Sequence, residues 1–215
     1  MKVALIGASG FVGKIILKEL LDRRHEVTAV LRNPTVMPSQ AGLQLVQGDV
    51  TDQSGFSKTI EGHDAVISSF NAGWQNRNLY QDFLEGSRAI QSAVRQAGVK
   101  RLIVVGGAGS LYIDGKQLVD SPDFPAAIKP GATAARDYLN ELKNENEIDW
   151  VFVSPAIEMH PGTSGTRKGS YRMGTEIPVF DEQGKCVISA EDLAVAIVDE
   201  LEQQAHHRVR FTVAY

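Results

Sequence analysis

Short runs of apolar residues alternate with longer amphipathic stretches along the chain. The apolar runs have the length of strands and lie at 3–6, 27–31, 43–46, 65–67, 102–105, 150–153 and 209–213. Helical spacing of apolar positions is found between them, at 11–21, 52–60, 79–97, 132–144 and 190–203. Strands separated by helices predict βαβ units, and nearly continuous apolar strands are typical of a parallel sheet. The pattern therefore predicts an α/β fold, a doubly wound parallel sheet of the Rossmann type with helices on both faces.

Polar residues and glycines mark the ends of these segments. Asp52 and Ser189 are suited to cap the helices that follow them, and Gly98 is suited to end the long helix before it. The stretches 33–42 and 109–129 are rich in proline, glycine or short polar residues, so we predict loops there.

The segment 155–189 lacks helical periodicity, and we predict that it forms a small C-terminal cap region over the carboxyl edge of the sheet. A chain of 215 residues fits one domain, because domains commonly hold about 100–200 residues. No repeat or linker divides the sequence. We therefore expect a single domain over 1–215, with 155–189 on the side of the substrate.

Three glycines are spaced G-x-x-G-x-x-G at 7–13, where the first strand meets the first helix. They would allow a tight turn, the approach of a pyrophosphate to the backbone, and close helix packing, in the order Gly7, Gly10, Gly13. Amides and a hydroxyl at the start of the helix could bind phosphate oxygens; these belong to Ser9, Phe11 and Val12. The strand before and the helix after favour a dinucleotide site; the alternative is a purely structural turn.

The second strand ends in Leu31-Arg32-Asn33, without the carboxylate that would accept a hydrogen bond from the ribose 2′-hydroxyl of NAD. Arg32 could instead pair with the 2′-phosphate of NADP, so we favour NADP; the alternative is a solvated arginine. After the third strand, Asp49 could accept a hydrogen bond from the adenine amino group while Val50 packs on the ring. The alternative is that Asp49 is a turn residue.

Composition excludes several other classes of function. Lys and Arg number 22 against 26 Asp and Glu, and a net charge of −4 lacks the basic footprint of a duplex-DNA binder. Cys186 is the only cysteine, so no intrachain disulfide or cysteine-based zinc site can form, and no other set of metal ligands stands out. No apolar run reaches the roughly 18 residues of a membrane span. We expect a cytoplasmic protein with no nucleic acid, membrane or metal as partner.

Together these residues make the chain resemble the atypical short-chain dehydrogenase/reductase superfamily, through GASGFVG at 7–13, LRN at 31–33 and GDVTD at 48–52. A closer likeness is to its NmrA-like NAD(P)H-binding branch, within it to NADH-flavin reductases and biliverdin reductase B-like proteins. That likeness extends over nearly the whole chain, through VVGGAGSL at 104–111, VDSPDFP at 119–125, WVFVSPA at 150–156, GSYRMG at 169–174, ISAEDLAVAIVDELE at 188–202 and RFTVAY at 210–215.

The resemblance implies that the chain binds NAD(P)H, with NADPH favoured over NADH, and transfers hydride to a small-molecule acceptor, either FMN, another flavin or a similar conjugated molecule. It also implies three further groups of coenzyme contacts. Residues near the ribose and phosphates would be Phe70 and Asn71. Residues flanking the nicotinamide would be Gly106, Gly107 and Ala108. Residues bordering the nicotinamide and the acceptor would be Pro155, Ala156 and Ile157.

A tyrosine and a lysine four residues later form the proton relay of many members of the superfamily. Tyr112 and Lys116 have this spacing, but Asp114-Gly115 between them indicates a turn, and we interpret the match as coincidental. Tyr138 has no lysine four residues later. Flavin reduction does not require a relay, since solvent can supply the proton. Ser110 is the best polar candidate for a catalytic group; the alternative is an ordinary loop hydroxyl.

Two other functions stay open at this stage: a non-catalytic NADP(H)-sensing regulator of the NmrA type, and a nucleotide-sugar epimerase or dehydratase. The basic residues Arg167, Lys168 and Arg172 could meet a flavin phosphate, and Trp74 could cover the acceptor. For each of these residues, surface exposure or packing is the plainer interpretation. We expect a monomer or a weak homodimer.

Overall fold

The computed structural model describes residues 1–215, and its elements follow the predicted order. The strands are β1 (Lys2–Ile6), β2 (Glu26–Leu31), β3 (Leu43–Gln47), β4 (Ala65–Ser68), β5 (Arg101–Val105), β6 (Tyr112–Ile113), β7 (Lys116–Gln117), β8 (Asp149–Ser154), β9 (Arg172–Gly174) and β10 (Val209–Ala214). The α-helices are α1 (Phe11–Asp22), α2 (Gln53–Ile60), α3 (Leu79–Gln96), α4 (Lys129–Leu142) and α5 (Ala190–Gln203). No helix is both long and apolar enough to cross a membrane.

One eight-stranded sheet organises the molecule, with the strand order β3-β2-β1-β4-β5-β8-β10-β9. Every neighbouring pair is parallel except β10 and β9. The chain winds outward from β1 to β3, then returns to the centre and continues on the other side from β4. The predicted doubly wound parallel sheet is thus confirmed, and its topological switch point lies between β1 and β4, where such sheets bind ligands.

Helices cover both faces of the sheet, as the apolar strands predicted. On one face, α1 and α5 pack together over a core that includes Leu5, Val153 and Phe211. On the other face, α2, α3 and α4 cover a core that includes Trp150 and Phe152. Because successive strand residues point to opposite faces, the near-continuous apolar runs supply both cores at once.

The predicted helix ends are largely confirmed. The Asp52 carboxylate accepts a hydrogen bond from the Gly55 amide, and the Ser189 hydroxyl accepts one from the Asp192 amide, so both residues cap their helices. Gly98 follows the long helix with φ of +69°, a conformation that glycine adopts without steric cost.

Two segments differ from the prediction. The loop predicted at 109–129 contains the hairpin β6–β7, and α4 begins at Lys129 rather than 132, because Pro130 fits the first turn of a helix. The segment 155–189 does not lie wholly outside the sheet, since β9 pairs antiparallel with β10 and forms the edge. Three-residue strands carry too little periodicity to be recognised without their partner.

Candidate coenzyme-binding site

The predicted coenzyme contacts all lie at the carboxyl edge of the sheet, at or just beyond the ends of β1, β2, β3, β4, β5 and β8. Parallel pairing brings these strand ends to the same edge. Segments far apart in the sequence therefore lie side by side across the switch point. The structure brings the predicted residues to one edge; their contacts with a coenzyme stay a prediction.

The turn after β1 accepts only glycine at two positions. Gly7 has φ of +80°, and a Cβ there would lie 2.2 Å from the carbonyl oxygen of Ser69. A Cβ on Gly13 would lie 2.0 Å from the Gly7 oxygen. Both distances are far below van der Waals contact, so α1 starts tightly against β1, and the turn lies against the segment after β4.

The amino end of α1 is open to an anion. Gly10 is the N-cap, no side chain caps the helix, and no acidic residue lies in its first turn. The first-turn amides, including those of Phe11 and Val12, therefore lack intrahelical partners and lie at the positive end of the helix dipole. Ser9, Gly10 and Phe11 are exposed to solvent. This arrangement fits a pyrophosphate, as the glycine spacing predicted.

At the far side of the edge, Arg32 and Asp49 follow β2 and β3. Arg32 is exposed, and its guanidinium forms no ion pair or hydrogen bond within the protein. One carboxylate oxygen of Asp49 accepts hydrogen bonds from the amide and the hydroxyl of Thr51, at 2.9 and 2.8 Å. These bonds, together with the nearby charge of Arg32, lower the pKa of Asp49. Asp49 is thus a turn residue whose second oxygen stays free, while Val50 packs against the core.

The segments after β4 and β5 border the switch point, where doubly wound sheets have a crevice at the carboxyl ends of their strands, here called the cleft. The ring of Phe70 turns into the core, where its centroid lies 6.0 Å from that of Phe83. Asn71 accepts a hydrogen bond from the Gly73 amide at 2.7 Å. A Cβ on Gly106 would lie 1.9 Å from the ring of Phe152, so this loop crosses closely over β8.

Trp74 is an exposed aromatic residue at the same edge. Its side chain is 59% exposed, and its ring lies against Gly131 in the first turn of α4. One turn further along that helix, Ala135 faces Gly107. Trp74 therefore lies near the predicted nicotinamide loop, where its side chain is accessible to the ring of a bound acceptor.

The acceptor side of the edge contains Ser110 and the end of β8. Pro155 and Ala156 are buried, whereas Ile157 is exposed. Ser110 is 1% exposed, and its hydroxyl lies 3.2 Å from Arg210 Nη1, 3.3 Å from the Gly107 oxygen and 3.4 Å from Ser154 Oγ. The predicted catalytic hydroxyl is thus enclosed by protein atoms.

The structure places no tyrosine–lysine relay in the cleft. Tyr112 and Lys116 belong to the antiparallel hairpin β6–β7 rather than to one face of a helix, which confirms that their spacing is coincidental. Tyr138 is buried in the core, where burial raises the pKa of its phenol, and Leu142 occupies the position four residues later.

Three basic residues of the segment 155–189, Arg167, Lys168 and Arg172, contact other parts of the protein. Arg167 pairs with Glu19 through two hydrogen bonds of 2.9 and 2.8 Å, and the Lys168 ammonium lies 3.4 Å from the centroid of the Tyr215 ring. Arg172 donates hydrogen bonds to carbonyl oxygens of Phe180 and Tyr215. The hypothesis that these three bind a flavin phosphate is therefore not supported. No group of three or more acidic, His or Cys side chains has the geometry of a metal site.

Sequence reasoning missed the pair formed by Arg210 and Glu176, which lies beside Ser110. Arg210 occupies a buried position within the strand β10, whose other inward residues are apolar or Thr. A charged residue in the middle of such a strand is the signal that could have indicated it.

The strand order and the uncapped glycine turn at the switch point are those of a Rossmann protein. A model of an NAD(P)H-binding family matches residues 7–204. The chain belongs to this family, and its fold and relatives are of the atypical short-chain dehydrogenase/reductase type, which includes nicotinamide-dependent oxidoreductases.

Full-length relatives support this assignment. The chain is 38% identical to the uncharacterized protein YwnB of Bacillus subtilis, over 99% of this chain and 98% of that one. A Bacteroides thetaiotaomicron structure provisionally named an epimerase is 43% identical, with a TM-score of 0.92 over 100% of this chain and 96% of that one. A Streptococcus pneumoniae structure provisionally named an NADH-flavin reductase is 37% identical, with a TM-score of 0.85 over 100% of this chain and 99% of that one.

Proposed function

We propose that this protein is an NADPH-dependent reductase whose acceptor is a flavin or a similar planar conjugated molecule. One observation carries the proposal: an uncapped helix start follows the glycine turn at the switch point, and no tyrosine–lysine relay lies on a helix beside it. The reductase name of the Streptococcus pneumoniae neighbour supports the same acceptor class.

The missing relay distinguishes alcohol oxidation from flavin reduction, because the two reactions differ in their need for a protein group that transfers a proton. Oxidation of an alcohol needs a group to take up the hydroxyl proton. Reduction of a flavin consumes one hydride and one proton, and water can deliver the proton to the reduced ring. When bound, the nicotinamide supplies the hydride. The residues of the chain then have to bind and orient the two rings, which by itself can contribute a large rate enhancement.

The coenzyme would lie across the switch point in an extended form. The first-turn amides of α1, with Ser9, would hold the pyrophosphate, and Asp49 and Val50 would contact the adenine. Arg32 would pair with the 2′-phosphate, because the end of β2 carries an unpaired guanidinium and no carboxylate. The segment 106–108 would flank the nicotinamide. The exposed side chains of Trp74 and Ile157 would border the acceptor.

The direct test is the oxidation of NADPH in the presence of excess FMN, FAD or riboflavin. We expect turnover above the rate of the mixture without protein. The matched control is Gly13→Ala, whose added Cβ would collide with the Gly7 oxygen and displace the phosphate-binding turn. No turnover with any of the three flavins would refute the reductase proposal.

Two alternative functions predict different results in binding and turnover assays. An NADP(H)-sensing regulator would bind the coenzyme without turnover and would retain a partner protein in a pull-down. An epimerase, the name given to the Bacteroides thetaiotaomicron neighbour, would convert a nucleotide sugar. The absent relay disfavours the epimerase, and a product from a panel of nucleotide sugars would reverse that judgement.

The setting of the reaction is also a proposal. We propose a cytoplasmic location, with which a chain that has no disulfide is consistent; fractionation of cells that express the protein would test it. We propose a monomer or a weak homodimer, which light scattering coupled to gel filtration would measure.

A further inference from the structure

A buried arginine links three separate segments on the acceptor side of the cleft. The side chain of Arg210, in β10, is 1% exposed. Its guanidinium pairs with Glu176, which follows the edge strand β9, through both Nε and Nη2. Its remaining terminal nitrogen donates to Ser110 Oγ at 3.2 Å and lies 3.5 Å from Ser154 Oγ. One side chain thus joins the edge of the sheet to the loop after β5 and to the end of β8.

This contact determines what the Ser110 hydroxyl can do. Arg210 has only hydrogen-bond donors, so Ser110 Oγ must accept from it. The hydroxyl hydrogen then has two acceptors within reach, the Gly107 oxygen at 3.3 Å and Ser154 Oγ at 3.4 Å. Ser154 is fully buried, Gly107 is half-buried, and Ser110 is 1% exposed. The hydroxyl is therefore engaged with the backbone of the nicotinamide-side loop and is not free to face an acceptor.

Glu176 completes the arrangement. The side chain of Glu176 is 48% exposed, so the ion pair has one buried member, Arg210, and one member in contact with solvent. The backbone oxygen of Glu176 accepts a hydrogen bond from the Tyr112 amide at 2.9 Å, which ties the same residue to the β6–β7 hairpin. The chain from Glu176 through Arg210 and Ser110 to Gly107 is thus continuous. It runs from the surface to the loop that the proposed reaction uses.

We propose that Glu176, Arg210 and Ser110 form a positioning network that holds the Gly106–Gly107 segment in place for hydride transfer. Ser110 is then a positioning residue rather than a proton donor. This inference rests on the proposed reductase function for its kinetic consequences, but the order that the network imposes on the loop does not depend on it. A misplacement of about 1 Å near the reacting atoms can cost about 100-fold in rate, so a small shift of this loop is sufficient for a measurable effect.

The kinetic test compares Ser110→Ala and Glu176→Gln with Thr212→Val. Thr212 lies on the same face of β10 as Arg210, and its buried hydroxyl has no hydrogen-bond partner, so its removal is a matched control. We expect kcat to fall about tenfold or more in both network variants, while the NADPH dissociation constant changes by less than about twofold. The kcat of the double variant should be little lower than that of either single variant, because the two residues act through one chain of contacts.

The proton-donor alternative predicts a different pattern. A donating Ser110 would give a solvent deuterium effect on kcat that disappears in Ser110→Ala, and Glu176→Gln would then be close to wild type. That pattern, or an unchanged kcat in Ser110→Ala, would overturn the proposal.

A second readout needs no activity. Hydrogen–deuterium exchange in a peptide covering 106–111 of the coenzyme-free protein should accelerate in both network variants and not in Thr212→Val. Glu200→Gln is a further control, because Glu200 forms a buried pair with Arg101 at the opposite edge of the sheet. If the wild type reduces no flavin, the reductase proposal fails while this exchange result still tests the network. Equal acceleration in Glu200→Gln, or none in the network variants, would refute it.

Discussion

Replacing Arg32 with alanine tests how the cleft distinguishes NADPH from NADH. Arg32 follows β2 at the carboxyl edge, and its guanidinium forms no ion pair or hydrogen bond in the protein. The variant therefore breaks no ion pair or hydrogen bond of the folded chain, and removes only the charge that acts on Asp49. A change at Asp49 would affect both coenzymes equally, so a loss confined to NADPH reports the 2′-phosphate, and we expect the loss to fall on NADPH alone.

The size of that loss follows from the chemistry and the exposure of the side chain. A charge-assisted pair with a phosphate contributes between about 1.5 and 3 kcal/mol. Arg32 is exposed, so solvent and salt screen the pair, and the charge of Asp49 nearby already compensates part of its own. Both effects favour the lower limit. Since about 1.4 kcal/mol corresponds to a tenfold change, we expect NADPH binding to weaken about tenfold.

In the assay, the wild type and each variant are titrated with NADPH and with NADH, and binding is detected by calorimetry or by coenzyme fluorescence. NADH binding should change by less than about twofold. Lys100→Ala is the matched control, because it also removes an exposed, unpaired positive charge, but before β5 at the opposite edge. An equal loss of both coenzymes in Arg32→Ala, or the same loss in Lys100→Ala, would show that Arg32 does not read the 2′-phosphate.

Three further predictions concern the turn, the acceptor side and stability. Gly13→Ala should abolish saturable NADPH binding while leaving far-UV circular dichroism close to wild type; retained affinity would contradict the phosphate-binding turn. Trp74 is 59% exposed and Trp150 2%, so Trp74→Phe should remove most of the tryptophan quenching by FMN, and quenching that survives would place the flavin elsewhere. Burial alone would raise the pKa of Glu145, but hydrogen bonds from Gln91 and other groups outweigh it and lower the pKa from 4.5 to about 2. A lowered pKa in the folded state stabilises the protein above pH 4.5, by on the order of 3 kcal/mol, and this contribution is lost as the pH falls towards 2. In denaturant unfolding, Glu145→Gln should therefore be less stable than wild type at pH 7, with a gap that narrows below pH 4.5; a gap independent of pH would refute this.

The periodicity of apolar residues predicted those helices and strands that are long enough to repeat a pattern of buried positions. The strands β1 to β5, β8 and β10 and all five helices are recognisable because burial on a sheet or along a helix repeats over several residues. The hairpin β6–β7 and the strand β9 have two or three residues each, too few to repeat a pattern. Pairing with a distant segment decides their structure, and β9 becomes a strand only because β10 offers an open edge.

The candidate site likewise has one part that the sequence predicted, the glycine turn, and another that it did not, the directions of the side chains. Glycine spacing predicted the turn at 7–13, since a positive φ and close backbone contacts exclude other residues there. Side-chain directions were not predictable: the ring of Phe70 faces the core, and Arg167 pairs with Glu19, which is far away in the sequence. Arg210 shows the same limit, because its partners follow other strands.

The most direct test of this account is calorimetry of the purified, folded protein with each nicotinamide coenzyme. The account predicts saturable binding of NADPH at one site per chain, with weaker binding of NADH. Folded protein that binds neither coenzyme would contradict the phosphate-binding turn, and the reductase and the sensor proposals would fall together.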